Sequence, residues 1–152
     1  MREAFGDLWE LAESGFADAL VITTNGDVNS KGRAVMGRGC ALQAAQRYPE
    51  IPSVLAEALH AHGNHAFVLS QQVSPGYFMI VSMPVKHHWH EQADPALIVQ
   101  SAHELMAIAD AHRWKSVVMP RPGCGNGRLK WDDVRPLLER ILDNRFTVVT
   151  YG

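Results

Sequence analysis

The densest chemistry in the chain lies in Pro120-Arg121-Pro122-Gly123-Cys124-Gly125-Asn126-Gly127-Arg128, where glycines alternate with small or polar residues. Glycine leaves no side chain over the peptide N–H and admits left-handed backbone values, so such a run can turn several amides toward one anion. The apolar residues 116–119 precede it, and an amphipathic stretch from Trp131 to Asn144 follows. Strand, glycine loop and helix is the order that aims backbone donors and a helix N-terminus at a phosphate. A tight strand-to-helix turn without a ligand has the same composition, and one glycine cluster does not separate the two.

Two more segments carry residues of interest. Asn25 to Gly39 is polar and contains Gly37-Arg38-Gly39; Pro84 to His90 carries Lys86, His87, His88, Trp89 and His90. A lysine amine can attack an electrophilic carbon or stabilise a leaving group when its pKa falls below the usual value near ~10.4, through burial or a neighbouring cation. By residue type alone, a lysine touching phosphate or solvent is the simpler reading. The histidines at 62, 65, 87, 88 and 90 raise a metal site, but no cysteine pair or acidic residue completes a ligand set at usable spacing. Surface or helix-capping roles fit them better. Cys124 lies among amides that would lower a thiol pKa, yet no histidine–acid partner is assignable to it. Cys40 reads as a small buried residue at a helix start. Trp89 and Trp131 suit either the core or the wall of a cleft, and Lys31, Arg33 and Arg38 either a cationic rim or a solvated loop.

The elements that must position these groups follow from periodicity. Residues 19–24 form an apolar, β-branched run that reads as a buried strand. Helices are predicted over 40–47, 54–62, 95–112 and 131–144, the third with Asp94 as N-cap and Pro95 at its first position. Strands are predicted at 66–69, 77–81, 116–119 and 146–150, with 66–69 and 77–81 joined around Ser74-Pro75-Gly76. Strands alternating with helices predict a three-layer α/β/α sandwich with a mixed, largely parallel central sheet. In such sheets ligands bind beyond the carboxyl ends of the strands, which is where all three unusual segments fall.

Composition narrows the classes. At 152 residues, with 47% hydrophobic and 20% charged residues, the chain reads as a single globular domain over 1–152. A net charge of −2 argues against a protein that chiefly wraps nucleic acid, though not against a local basic patch. Two well-separated cysteines make no disulfide framework, no apolar run approaches the ~18 residues that span a membrane, and the N-terminus lacks a signal-peptide pattern. The expectation is a cytoplasmic protein. Gly37-Arg38-Gly39 lacks the third glycine of a dinucleotide fingerprint, and neither glycine cluster continues into Gly-Lys-Ser/Thr, which sets aside kinase and ATPase chemistry.

With these motifs in this order the chain resembles a macrodomain, the α/β/α module that binds ADP-ribose. Gly6-Asp7-Leu8-Trp9 looks like the family's early Gly-Asp signature, residues 17–25 like its first buried strand ending in Asn25, and Pro120 to Arg128 like its phosphate loop. Residues 35–43, 84–89 and 123–131 are most similar to the branch of DarG antitoxins and their glutamate-deacylating relatives, which removes ADP-ribose from nucleobases in DNA or from carboxylate-linked protein sites. The resemblance implies that Asp7 accepts from the adenine amino group, with Leu8 beside it. Asn25 holds the distal ribose, and Gly37 and Gly39 let the backbone pass close to that ribose and the phosphates. Pro120, Gly123, Cys124, Gly125, Asn126, Gly127 and Arg128 form the diphosphate site. Lys86 matches the lysine regarded as catalytic in the branch. No metal or organic cofactor is implied; ADP-ribosylated single-stranded DNA and a toxin are the implied partners. A non-catalytic ADP-ribose reader and a phosphatase for ADP-ribose 1″-phosphate are rival readings of the same pocket. Gly127 stands where some relatives carry an acid/base aspartate, and residues 27–33 lengthen the first loop, which bears on the shape of the distal-ribose pocket.

Overall fold

The computed structural model describes residues 1–15, 17–73 and 78–151. Six strands and five helices follow in the order β1 (Arg2–Phe5), α1 (Leu8–Ser14), β2 (Ala19–Thr24), α2 (Gly39–Arg47), α3 (Ile51–His62), β3 (Phe67–Val73), β4 (Phe78–Pro84), α4 (Pro95–His112), β5 (Val117–Pro120), α5 (Trp131–Glu139) and β6 (Phe146–Thr150). The strands form one sheet in the order β1-β6-β5-β2-β4-β3. Every neighbouring pair is parallel except β3 and β4, which are antiparallel. The mixed, largely parallel sheet and its helical layers are those expected. The predicted turn at Ser74-Pro75-Gly76, and Tyr77 as the start of the strand, lie outside the described residues.

Residues Ala19, Leu20, Val21 and Ile22 are all fully buried, because β2 is covered on both faces. Leu20 and Ile22 face one cluster with Trp9 of α1, Ala44 of α2 and Leu55 of α3. Ala19 and Val21 face the other with Ile98 and Leu105 of α4 and Leu138 of α5. Burying side chains of this size is worth about 1.5–3 kcal/mol each, so two such layers hold the sheet rigid beneath its loops. No helix among the described residues is long and apolar enough to cross a membrane.

Four expectations need correcting. The chain opens with a strand and a helix that periodicity did not show: β1 is a short, mostly exposed edge strand paired only with β6. Helix α1 starts at Asp7, whose carboxylate accepts the Glu10 amide at 2.9 Å. Helix α3 begins at Ile51 rather than Val54, with Pro52 tolerated in its first turn. Helix α5 ends at Glu139 rather than Asn144: it contains Pro136, which removes one helical donor, and Leu142 turns back to bond the Leu138 carbonyl at 2.8 Å.

The connections place the site. β2 and β5 are adjacent parallel strands, yet β2 leads to α2 on one face of the sheet and β5 leads to α5 on the other. Loops that diverge in this way open a crevice between their parent strands.

Candidate functional site

That crevice is a cavity of about 780 Å³ lined by Asn25, Met36–Cys40, Lys86, Trp89, Gly123–Gly127 and Tyr151, among others. The two glycine loops form its walls. Gly123 has φ 76°, and a side chain there would press within 3.1 Å of Ile98, Ala93 and Leu129, so glycine is required by the turn itself. Gly127 is held in place differently: a Cβ would meet the Gly123 carbonyl oxygen at 2.5 Å. Gly37 and Gly125 are another matter. Neither has a left-handed φ, and a Cβ on either would meet nothing within 4 Å. The fold does not need glycine at these two positions, so the space they leave is available to a ligand's phosphates and to backbone amides approaching them.

Lys86 sits just past the end of β4, at the meeting point of this cavity and a smaller one of about 300 Å³ lined by Arg38, Trp89, His90, Glu91, Gly125, Asn126 and Arg128. Its side-chain nitrogen donates to the Asn126 carbonyl at 3.1 Å and to the Trp89 carbonyl at 3.2 Å. Burial pulls its pKa below the ordinary lysine value, and the Arg128 and Arg38 guanidiniums act in the same direction.

The loop carrying Lys86 is tied to the loop after β2. Asp27 accepts from Trp89 N at 2.9 Å through one oxygen and lies 2.7 Å from His88 Nδ1 through the other. Asn25 accepts the Asp27 amide at 2.9 Å and donates to the Val35 carbonyl at 3.1 Å, and Gly26 N donates to the His87 carbonyl at 3.1 Å. Asn64 adds a bond from its amide to the Lys86 carbonyl at 3.0 Å. Desolvation works against the Asp27 charge, but the bonds from His88 and the Trp89 amide hold its carboxyl below the usual value; the same bond to Asp27 raises His88.

A family model described as Macro domain matches residues 28–138, more than half of the chain. The chain belongs to the macrodomain family. It is 32% identical over 128 residues to a DNA ADP-ribosyl glycohydrolase of Mycobacterium tuberculosis, a match that covers 82% of this chain and 36% of that relative. The chain thus spans about a third of the length of the relatives it matches. The solved macrodomain of Mycobacterium tuberculosis DarG superposes with a TM-score of 0.79 at 28% identity, over 99% of this chain and 97% of that one. Thermosipho africanus DarTG in complex with ADP-ribose shares the fold, with a TM-score of 0.80 at 19% identity over 98% of this chain and 41% of that one.

This macrodomain brings Leu8, Asn25, Gly37, Gly39, Lys86, Pro120 and Gly123–Gly127 to one cleft. Arg128, with φ 64°, lines the smaller cavity instead. Asp7 does not line either; its carboxylate caps α1 and accepts the Tyr151 hydroxyl at 3.2 Å. The lengthened segment 27–33 also stays outside the cleft. It closes on itself through a Val28–Ala34 bridge, and Arg33 turns away to Ser53 and the Pro49 carbonyl. Of the expected cationic rim, only Arg38 reaches the cavities. Trp89 is a wall of the cleft, whereas Trp131 packs beneath Arg121 and donates to Glu3 at 3.0 Å. His87 and His88 pair with Asp94 and Asp27, and no group of metal-ligating side chains occurs among the described residues. Burial pushes the thiols of Cys40 and Cys124 upward, away from the thiolate form. Sequence reasoning missed Asp27, Arg121 and Tyr151. Asp27 is 61 residues from its partner His88, and nothing local signals the contact.

Proposed function

We propose that this macrodomain binds ADP-ribose across the cleft and hydrolyses the bond joining the distal ribose to a nucleobase in single-stranded DNA, as an ADP-ribosyl glycohydrolase. The observation that carries the reading is the position of Lys86 between the two cavities. The larger one has the glycine walls suited to a diphosphate; the smaller one has Arg38 and Arg128 for phosphodiesters and the half-exposed Trp89 ring for a base. An ADP-ribosylated nucleobase laid across both would present its anomeric carbon at Lys86.

In the hydrolysis, the bond from the anomeric carbon to the base breaks and its electron pair leaves with the base. Water supplies a hydroxyl to the carbon and a proton to the base. An amine has two N–H groups and one lone pair. With its N–H groups held by the Asn126 and Trp89 carbonyls, Lys86 in its neutral form turns its lone pair toward the positive charge that develops on that carbon. It forms no bond to the carbon; the water adds there, and its proton goes to the departing base. Positioning of the ribose between Asn25 and the glycine loops supplies the rest of the acceleration. Support also comes from the relatives: those it matches in sequence carry the name DNA ADP-ribosyl glycohydrolase, and the Thermosipho africanus structure holds ADP-ribose. A toxin partner and work on DNA in the cytoplasm belong to the same proposal.

The test is to incubate the chain with an ADP-ribosylated single-stranded oligonucleotide and, side by side, with protein ADP-ribosylated on carboxylates. Unmodified oligonucleotide and free ADP-ribose should appear with the wild type. Lys86→Ala should lose turnover at least about a hundredfold while still binding ADP-ribose in calorimetry. Full turnover by Lys86→Ala would reject the role of Lys86. Binding of ADP-ribose without turnover of either substrate would make the protein a reader, and release from the protein adduct alone would move the substrate class.

A further inference from the structure

The chain contains two Asn-Gly pairs, Asn25-Gly26 and Asn126-Gly127, and the asparagine of each lines the cleft. Such a pair is open to one intramolecular reaction. The glycine nitrogen can attack the side-chain carbonyl of the asparagine before it, because glycine has no Cβ to shield that nitrogen. The fold treats the two pairs differently. Asn25 is locked: its side chain donates to the Val35 carbonyl at 3.1 Å and accepts the Asp27 amide at 2.9 Å, and Gly26 N donates to the His87 carbonyl at 3.1 Å. A Cβ on Gly26 would stand 2.9 Å from that carbonyl and 3.1 Å from the Asn64 amide, so the peptide has no room to turn. Asn126 is exposed, and among the described residues only its backbone carbonyl, not its side chain, takes part in a hydrogen bond. The Gly127 nitrogen donates to no backbone carbonyl among them. Across the cleft the Asn126 side chain faces Gly39, where a Cβ would lie 3.5 Å away but none exists.

Lys86 bears on the chemistry of the second pair. Its side-chain nitrogen donates to the Asn126 carbonyl at 3.1 Å, and that carbonyl belongs to the same peptide unit as the Gly127 nitrogen. In its protonated form Lys86 draws electron density from the amide through its resonance, which makes the Gly127 N–H easier to remove. Arg38 and Arg128 line the same small cavity and favour the anion that results.

We propose that Asn126 is a site of spontaneous deamidation, promoted by Lys86, and that the negative charge it forms turns the phosphate wall of the cleft against anions. The Gly127 nitrogen, its proton lost to water, bonds to the side-chain carbonyl carbon of Asn126. The bond from that carbon to the amide nitrogen breaks, and the nitrogen leaves as ammonia, taking up a proton. Water then opens the five-membered imide at either carbonyl, giving an aspartyl or an isoaspartyl residue. The isoaspartyl form also lengthens the main chain of the loop by a carbon atom. The new carboxylate arises between Gly125 and Gly127, where the diphosphate would approach. That consequence rests on the reading of the cleft as an ADP-ribose site; the modification itself does not.

Peptide mapping by mass spectrometry tests it on the full chain, incubated at neutral pH either native or in urea, with Asn126→Gln and Lys86→Met alongside. In the native chain the peptide holding Asn126 should gain the mass difference between an amide and an acid at least about tenfold faster than the peptide holding Asn25. In urea the two should convert at similar rates. Lys86→Met should slow the native reaction at Asn126 about threefold. Calorimetry should show the aged wild type binding ADP-ribose about tenfold more weakly than the fresh chain, as should freshly made Asn126→Asp. Aged Asn126→Gln should keep the affinity it had when fresh. Conversion of Asn25 as fast as Asn126 in the native chain, or an Asn126 that stays unmodified, would overturn the inference. A rate in Lys86→Met equal to or above that of wild type would overturn the part given to Lys86. Failure of the fresh wild type to bind ADP-ribose would instead overturn the reading of the cleft, while the peptide masses decide the modification by themselves.

Discussion

Lys86 and Asn126 are joined across the cleft: the side-chain nitrogen of one donates to the backbone carbonyl of the other at 3.1 Å. The contact links the loop after β4 to the loop after β5, and a second bond from the same nitrogen, to the Trp89 carbonyl at 3.2 Å, closes a triangle. Both acceptors are backbone carbonyls, which direct the amine to one point of the cleft. The two cationic neighbours that share the smaller cavity, Arg38 and Arg128, favour its neutral form.

The rate should therefore rise with pH as Lys86 deprotonates, through a pKa below the model-peptide value near ~10.4. Arg128→Gln removes a like charge and should move this limb to higher pH, lowering turnover near neutrality while leaving the plateau at high pH closer to wild type. Single-turnover rates between pH 6 and 10, with an ADP-ribosylated oligonucleotide, read the effect. A limb that stays in place in Arg128→Gln would mean that another group titrates.

The glycines of the phosphate loop divide into two kinds, and substitution should separate them. In Gly127→Ala the new methyl meets the Gly123 carbonyl at 2.5 Å and Ala93 at 2.8 Å, so the backbone has to move. A destabilisation of about 1–3 kcal/mol is expected, lowering Tm by roughly 2–4 °C for each kcal/mol in a chain of this size. In Gly125→Ala nothing lies within 4 Å and φ is not left-handed, so the melt should match wild type. ADP-ribose affinity should nonetheless fall about tenfold, because the methyl stands where the ligand approaches the amides. Unchanged affinity in Gly125→Ala would place the ligand elsewhere.

What the sequence made legible is what local chemistry determines. The unbroken apolar run of β2 predicts burial on both faces, Asp94 and Pro95 announce the start of α4, and the glycines from 123 to 127 mark the wall of a cleft. β1 was invisible because Arg2, Glu3 and Phe5 stay exposed and owe their strand geometry to β6, at the far end of the chain. α1 had a signal that periodicity overlooks: Asp7 with Glu10 three residues later, the pattern of a capped helix start. Asp27 could not be read at all, because it matters for a partner in a distant loop.

Asp27 supplies the last prediction, since it decides where the Lys86 loop sits. Its two oxygens hold the Trp89 amide and His88 Nδ1, and the Trp89 carbonyl in turn holds Lys86. Asp27→Asn keeps the shape but removes the charge. The carboxyl of Asp27 is held low, against desolvation, by His88 and the Trp89 amide, so its contribution to stability is complete above the unfolded value near ~3.9 and is lost as pH falls through the lower folded one. His88 is raised, first by its bond to Asp27, then by the Asp27 and Glu91 charges. Its contribution is complete below about 6.5 and is lost as pH rises through the raised folded value. The charged pair is therefore whole between roughly pH 4 and 6.5 and decays at higher pH. The Tm difference between wild type and Asp27→Asn should be largest near pH 5–6 and smaller at pH 9, where the imidazole has lost its charge and the carboxylate keeps hydrogen bonds alone. His88→Asn should remove the pH-dependent part of that difference and little else. Because the Trp89 carbonyl loses its anchor, Asp27→Asn should also slow turnover more than it weakens ADP-ribose binding. A Tm difference that is flat from pH 5 to 9 would assign the clamp to the Trp89 amide and leave His88 without a part in it.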